Sequence, residues 1–334
     1  MLRTFKHLTN ILCRPAIEAL WPGYRLPWKY RWRLLLFQPI HLLTNLIIHV
    51  PLIFRRPYTV DYIPIAPGRD LRVLVYKQPS SSSPPSASGD NGAAASSRLR
   101  PLHIDCHGGG FVGGTPEINA PFCTLVARET GAVVISLSYR LAPVHPFPAA
   151  PDDVDTAVAY LRANAASRYG ADPSLTTTSG SSAGGTLMLA AAQQPADPPS
   201  YAFKAMCGFY PPVDVSTSPS DKPLPKEMEK DPLRFMAPLY DSYAAGNDPK
   251  RDDPRLSPTL AKSDSLPPRI VIVIPKIDIL VKEQLEFIER LNQEAEANGL
   301  KTKRVESLFV EDGFHGYLDG ESSLFLLFSR GFSC

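Results

Sequence analysis

Cysteine is scarce and unorganised in this sequence of 334 residues. Cys13, Cys106, Cys123, Cys207 and Cys334 share no metal-ligand spacing, and five thiols cannot all pair within one chain. No zinc or haem motif is present, so no metal is expected and the thiols read as reduced and structural. Excess charge is missing too: a formal net charge of +2 leaves no broad basic surface, which argues against a nucleic-acid partner. Histidine is sparse in the second half, where only His315, of seven in all, is found. Nor is there a clean apolar run. The best, "LLLFQPIHLLTNLIIHVPLIF" from Leu34 to Phe54, is long enough, since about 20 apolar residues cross a bilayer. Gln38, Pro39, His41, Asn45, His49 and Pro51 interrupt it, which argues against a span.

What the amino-terminal end does have is charge of one sign. Residues 1–70 hold ten Lys or Arg against Glu18, Asp61 and Asp70. Ile40, Leu43, Ile47 and Val50 recur at helical spacing, which predicts an amphipathic helix laying that face on apolar surface. Arg31, Arg33, Arg55 and Arg56 bracket it, so contact of residues 31–56 with a membrane surface stays open. Arg14 and Glu18 break the only earlier apolar run, which argues against a cleavable signal peptide and for a cytoplasmic chain, membrane-associated or not. Residues 1–60 are therefore set apart as a cap or membrane-surface segment, and 61–334 as the main domain.

In that domain "LRVLVY" (Leu71 to Tyr76) alternates as a half-buried strand should, and it runs into a Ser-, Pro- and Ala-rich stretch over 78–99 that reads as a flexible surface loop. From Leu102 short apolar strands alternate with helical patterns: "LHIDC", a helix near Glu117 to Glu129, "AVVISLS", a helix from Asp152 to Ala166, "LTTTS" and "AGGTLMLAAA", "AMCGFY", "RIVIVI" and a helix from Val281 to Asn298. Such alternation predicts an α/β fold with a doubly wound, mostly parallel central sheet and helices on both faces. Ligand sites in such sheets lie at the carboxyl ends of the strands. The segment 215–261 departs from the alternation and reads as a cap or lid holding a short helix.

Gly180-Ser181-Ser182-Ala183-Gly184 matches Gly-x-Ser-x-Gly, the nucleophile elbow, in which a serine sits on a strained turn between strand and helix. The residues two before and two after must be very small because backbone presses on them, which selects Ser182 over Ser181. Composition alone gives roughly 0.1 chance matches to the motif, so its context matters, and here a strand precedes and a helix follows. The tetrad His107-Gly108-Gly109-Gly110 follows "LHIDC" directly. It reads either as a glycine-rich turn or as a loop whose Gly108 and Gly109 N–H groups meet that of Ala183 on a developing oxyanion. A serine hydroxyl also needs a base and a carboxylate to orient it. His315, in "EDGFHGY", is the one histidine after Ser182. Asp278 and Asp312 compete to orient it; Asp312 lies too close in chain to reach the ring independently, so Asp278, at the end of a buried strand, is preferred. A helix N-cap is the competing reading of Asp278, and a plain surface residue that of His315.

Taken together, "HGGGFVGG", "YRLAPVHPFPAAPDD", "GSSAGG", "DPRLSP" and "DGFHGY" resemble the hormone-sensitive-lipase branch of the α/β-hydrolases over Leu102 to Tyr317. The resemblance implies a serine esterase or lipase with Ser182 as nucleophile, His315 as base and acid, Asp278 as orienter, and Gly108, Gly109 and Ala183 as oxyanion donors. Residues 1–60 and 215–261 would then share a helical cap. A small or medium acyl ester is the implied substrate, natural-product esters among them, with no cofactor; oligomeric state is not indicated. Transacylation or amide cleavage by the same triad, and a non-catalytic ligand-binding homologue, are the alternatives. The chain departs from the family in having Ser181 where an aspartate usually precedes the nucleophile, Val144 where a glutamate is usual, and "DILVKE" in place of a more acidic stretch.

Overall fold

The computed structural model describes Ile17, Leu20, Trp21 and residues 25–54, 56–78, 99–226, 228–230, 234–244 and 252–317. Most of the loop expected over 78–99, at 79–98, lies outside the described residues, as do Arg14, Glu18 and parts of the 215–261 segment.

Strands β1 (Thr59–Ala66), β2 (Arg69–Tyr76), β3 (Arg100–Cys106), β4 (Val133–Leu137), β5 (Ala171–Ser181), β6 (Ala205–Phe209), β7 (Arg269–Ile277) and β8 (Arg304–Phe314) form one sheet in the order β1-β2-β4-β3-β5-β6-β7-β8. The β1–β2 hairpin and the β2–β4 pair are antiparallel, and every other pair is parallel. The hairpin turns at Gly68, whose φ of +71° favours glycine. The central strand β4, "VVISL", is buried at every position, as a sheet covered on both faces requires. Side chains alternate between faces, so Val73 and Val75 of β2 join one core cluster while Leu74 and Tyr76 join the other. β1 was not anticipated from the sequence. It is an edge strand that tolerates Pro64 and buries only Ile63 fully, so its alternation is weak.

Helices α1 (Trp28–Phe54), α2 (Ala120–Thr130), α3 (Ala149–Asn164), α4 (Ala183–Ala192), α5 (Ala237–Asp241) and α6 (Val281–Ala297) cover the sheet. In α6 Gln284, Phe287, Ile288, Leu291 and Ala295 are buried, a spacing of three and four that lays one face on the core. Burying Phe287 fully contributes about 2 kcal/mol. By contrast α4, "AGGTLMLAAA", has no solvent face, and its small residues let it press close to the sheet.

The long amino-terminal helix forms as predicted but with the opposite side inward. Leu43 and Ile47, expected to cover apolar surface, are 60% and 65% exposed, whereas Asn45 and His49 are 2% and 4% exposed. Leu34 is buried, Phe37 and Leu52 pack partly against the two core clusters, and the polar pair is turned in because His49 meets a buried carboxylate, Glu117. No described helix is long and apolar enough to cross a membrane.

Candidate active site

The register of the sheet brings the carboxyl ends of its strands level. Cys106 pairs with both Leu137 and Gly180, and Ser181 with Phe209, so the chain leaves β3, β5 and β6 at one rim. Ser182 follows β5 and is the N-cap of α4, with φ 48° and ψ −123°, a conformation that a non-glycine residue holds only when its surroundings force it. The force is visible. Ser182 N–H donates to Phe209 C=O at 2.8 Å. A Cβ on Gly180 would fall 2.5 Å from the Gly184 carbonyl carbon, and one on Gly184 only 2.1 Å from Cys106 C=O. Both motif glycines are thus required by backbone contact.

Ser182 Oγ lies 2.8 Å from His315 Nε2, and His315 Nδ1 lies 2.8 Å from Asp278 Oδ2. His315 stands just beyond β8, and Asp278 just beyond β7. Burial grades across the three: the Asp278 side chain is fully enclosed, Ser182 is 9% exposed, and the His315 side chain is 39% exposed. Asp278 Oδ1 also accepts the Leu280 N–H at 3.0 Å ahead of α6, so the carboxylate both caps that turn and faces the imidazole. Asp312 is exposed on β8.

His107, Gly108, Gly109 and Gly110 follow β3 and fold over the serine. A Cβ on Gly108 would lie 3.3 Å from that of Ser182, and Gly109 has φ +124° with Gly113 C=O 2.2 Å from any added Cβ. The Gly108 and Gly109 amides enter no turn or loop bond to backbone among the described residues, and Ala183 begins α4, where N–H groups have no partner within the helix. His107 is held by Tyr139 twice: the two rings stack at 4.4 Å, and the Tyr139 hydroxyl donates to His107 C=O at 3.1 Å. The helix expected in 215–261 is α5, and it reaches this loop. The Tyr240 ring fills the space beside Gly110, and Tyr243 stacks on Phe111 at 3.8 Å.

Sequence reasoning missed a buried polar network under the elbow. Asp105, 1% exposed, accepts from Ser179 at 2.7 Å, from Ser136 at 2.9 Å and from Asn119 at 3.0 and 3.2 Å. Burial pushes its carboxyl pKa up, against the hydrogen bonds that stabilise the anion. Asn119 in turn accepts from Ser181 Oγ at 3.2 Å, so the residue beside Ser182 is tied through it to Asp105 on β3. His103 completes the set between Thr177 and Ser179, each at 2.9 Å, with its pKa pushed down to about 4 by burial. Since Ser179 gives its proton to Asp105, His103 Nε2 must be the N–H that donates to Ser179. The available signal was an aspartate inside the apolar strand "LHIDC". Tyr210 was also missed; it has φ 41°, and its ring centroid lies 4.9 Å from that of His315.

Among the described residues no group of His, Cys, Asp and Glu could hold a metal ion. Cys106, Cys123 and Cys207 are free, and burial raises each thiol, that of Cys207 to about 12.

Comparison with known proteins places the chain. It is 28% identical over 223 residues to carboxylic ester hydrolase LipN of Mycobacterium tuberculosis, an alignment spanning 66% of this chain and 57% of that protein. It is 46% identical over 57 residues to hormone-sensitive lipase of Ictidomys tridecemlineatus, 17% of this chain and 8% of that one. The match thus covers little more than half of one relative's length and a small part of the other's. Among solved structures, an esterase of Pyrobaculum calidifontis superposes with a TM-score of 0.65 at 25% identity, over 84% of this chain and 85% of the other. Residues 103–319 match the family described as the alpha/beta hydrolase fold, and the chain belongs to that family.

Proposed function

We propose that this protein is a serine carboxylic-ester hydrolase acting on small or medium acyl esters. The reading is carried by one observation, the continuous contact from Ser182 Oγ through His315 to Asp278, 2.8 Å at each step. Relatives named carboxylic ester hydrolase and esterase support the bond type.

Ser182 Oγ attacks the ester carbonyl carbon while His315 Nε2 takes its proton, and Asp278 stabilises the imidazolium through Nδ1–H. The carbonyl oxygen becomes an oxyanion facing the N–H groups of Gly108, Gly109 and Ala183. One such donor typically lowers the barrier by about 3 kcal/mol. Collapse of the tetrahedral intermediate expels the alkoxide, which takes the proton from His315 and leaves as alcohol. Water then gives a proton to His315 and its oxygen to the acyl carbon, and the acid departs as Ser182 is reprotonated. Every proton is returned, so the cycle needs no cofactor.

Ser182→Ala tests this directly. Turnover of p-nitrophenyl esters should fall by about four orders of magnitude or more, and labelling by a fluorophosphonate should vanish while the melting temperature is kept. Labelling that persists at wild-type level defeats the assignment.

A further inference from the structure

We propose that the outward face of α1 seats this protein on an anionic lipid surface, with the helix lying in the interface. The proposal does not depend on the chemistry at Ser182.

The first observation is which side of the helix meets solvent. Leu36, Leu43 and Ile47, spaced by seven and four, form one stripe at 49%, 60% and 65% exposure, and Leu42 and Leu46 widen it. Scattered exposed leucines need no explanation, but a contiguous apolar face marks an interaction site. Second, the helix cannot roll this face inward. Its opposite side is tied down by His49, 3.5 Å from the buried Glu117 carboxylate, with the ring oriented by Nδ1 donating one turn back to Asn45 C=O at 2.9 Å. Turning Leu43 in would expose Leu34 and break the contact with Glu117.

The third observation selects lipid over a protein partner. All three tryptophans of the chain, Trp21, Trp28 and Trp32, lie at or just before the start of this helix, and Trp21 and Trp28 are 78% and 69% exposed. Tryptophan beside Lys29, Arg31 and Arg33 is the pairing that membrane interfaces favour, with indole at headgroup depth and cations on phosphate. Arg33 already lies over the Trp32 ring at 4.3 Å. The excess of ten basic over three acidic residues in 1–70 complements an anionic leaflet. A span is excluded by the hydropathy of the helix, which leaves surface seating. α1 packs on α5, and α5 on the loop at Gly110, so the seated helix is two contacts from that loop.

The test is co-sedimentation of the full chain with vesicles of phosphatidylcholine alone and of equal parts phosphatidylcholine and phosphatidylglycerol. We expect pelleting with the mixed vesicles, weaker pelleting with the zwitterionic ones, and release as salt is raised. Leu43→Gln/Ile47→Gln should lower the partition coefficient by about tenfold or more with aryl-ester turnover and melting temperature unchanged. Lys29→Gln/Arg33→Gln, which spares the apolar stripe, should weaken binding to the mixed vesicles alone. Absence of pelleting, or pelleting indifferent to both variants, overturns the proposal. So does a wild-type dimer that the leucine–isoleucine variant dissolves, since a second copy would then own the face. A lower melting temperature in that variant also overturns it, because the stripe would then be covered by the chain itself.

Discussion

Changing Glu117 to glutamine removes one negative charge from a pocket in which Arg72, Tyr58 and His49 converge. Its side chain is wholly enclosed and that of Arg72 is 18% exposed. Arg72 donates to both carboxylate oxygens, the Tyr58 hydroxyl adds a bond at 3.2 Å, and His49 sits 3.5 Å away. Glutamine keeps one acceptor but leaves the guanidinium without its counter-charge. Removing one partner of a buried pair costs about 3–5 kcal/mol, and the retained acceptor puts this variant at about 3. Burial alone pushes the Glu117 pKa up, yet contacts from His49 and Arg72 hold it well below its ordinary 4.5. With the folded pKa depressed, the stabilisation is complete above about pH 4.5 and fades as pH falls through the folded value.

The fluorophores make the assay local. All three tryptophans sit in residues 21–32, so their emission reports α1, while far-ultraviolet circular dichroism reports the whole chain. In urea at neutral pH the variant should lose α1 first, its tryptophan transition preceding the dichroism transition. The gap to wild type should narrow on acidification below the ordinary carboxylate range. Arg72→Met added to Glu117→Leu should cost less than the two single changes summed, because no lone charge is left buried. A loss below about 1 kcal/mol at neutral pH, the value of an exposed pair, or strict additivity in the cycle, refutes the reasoning.

Three further changes separate backbone contact from flexibility and positioning from packing. Gly184→Ala drives a Cβ to 2.1 Å from Cys106 C=O and 2.4 Å from His107 C=O, so kcat/KM for an aryl ester should fall by about 100-fold through displacement of the glycine loop. Gly131→Ala, at φ +69° in open space, should cost only about 1 kcal/mol in denaturation and leave kcat/KM unchanged. Asn119→Leu strips Asp105 of one donor and Ser181 of its acceptor. Stability should drop by about 1–3 kcal/mol and kcat by roughly tenfold with KM held, a split that simple loosening of the fold would not produce.

What could be read from the sequence was whatever local backbone demands decide. Gly180 and Gly184 announce the elbow because no side chain fits there, and "IVIVI" after Arg269 announces a strand because no side chain in it needs water. Other side chains, whose placement depends on distant partners and which no motif marks, were not legible. Periodicity put Leu43 and Ile47 inside because it weighs α1 alone, whereas the orientation is decided by Glu117, far along the chain, which recruits His49. Tyr210 gave no signal at all; its positive φ follows from its N–H bonding Val273 C=O while the strand ends, a tertiary fact. Asp105 did give a signal, a charge within an apolar strand, but its meaning required Ser136 and Ser179 on the two flanking strands.

Asp105 also bears on the departure at Ser181. Ser181 stands where the resemblance to hormone-sensitive lipases implies an aspartate, and the carboxylate of the network is reached from it through one amide: Ser181 to Asn119, Asn119 to Asp105. On the proposed mechanism a carboxylate at 181 would repel the oxyanion developing beside Ser182. On β3 Asp105 is held by hydrogen bonds from Asn119, Ser179 and Ser136, while the neutral Asn119 amide meets Ser181. The same Asn119 Nδ2 lies 3.3 Å from Cys106 C=O, the carbonyl against which Gly184 is pressed. One side chain, Asn119, therefore meets both Ser181 and the carbonyl pressed by Gly184, and links both to Asp105.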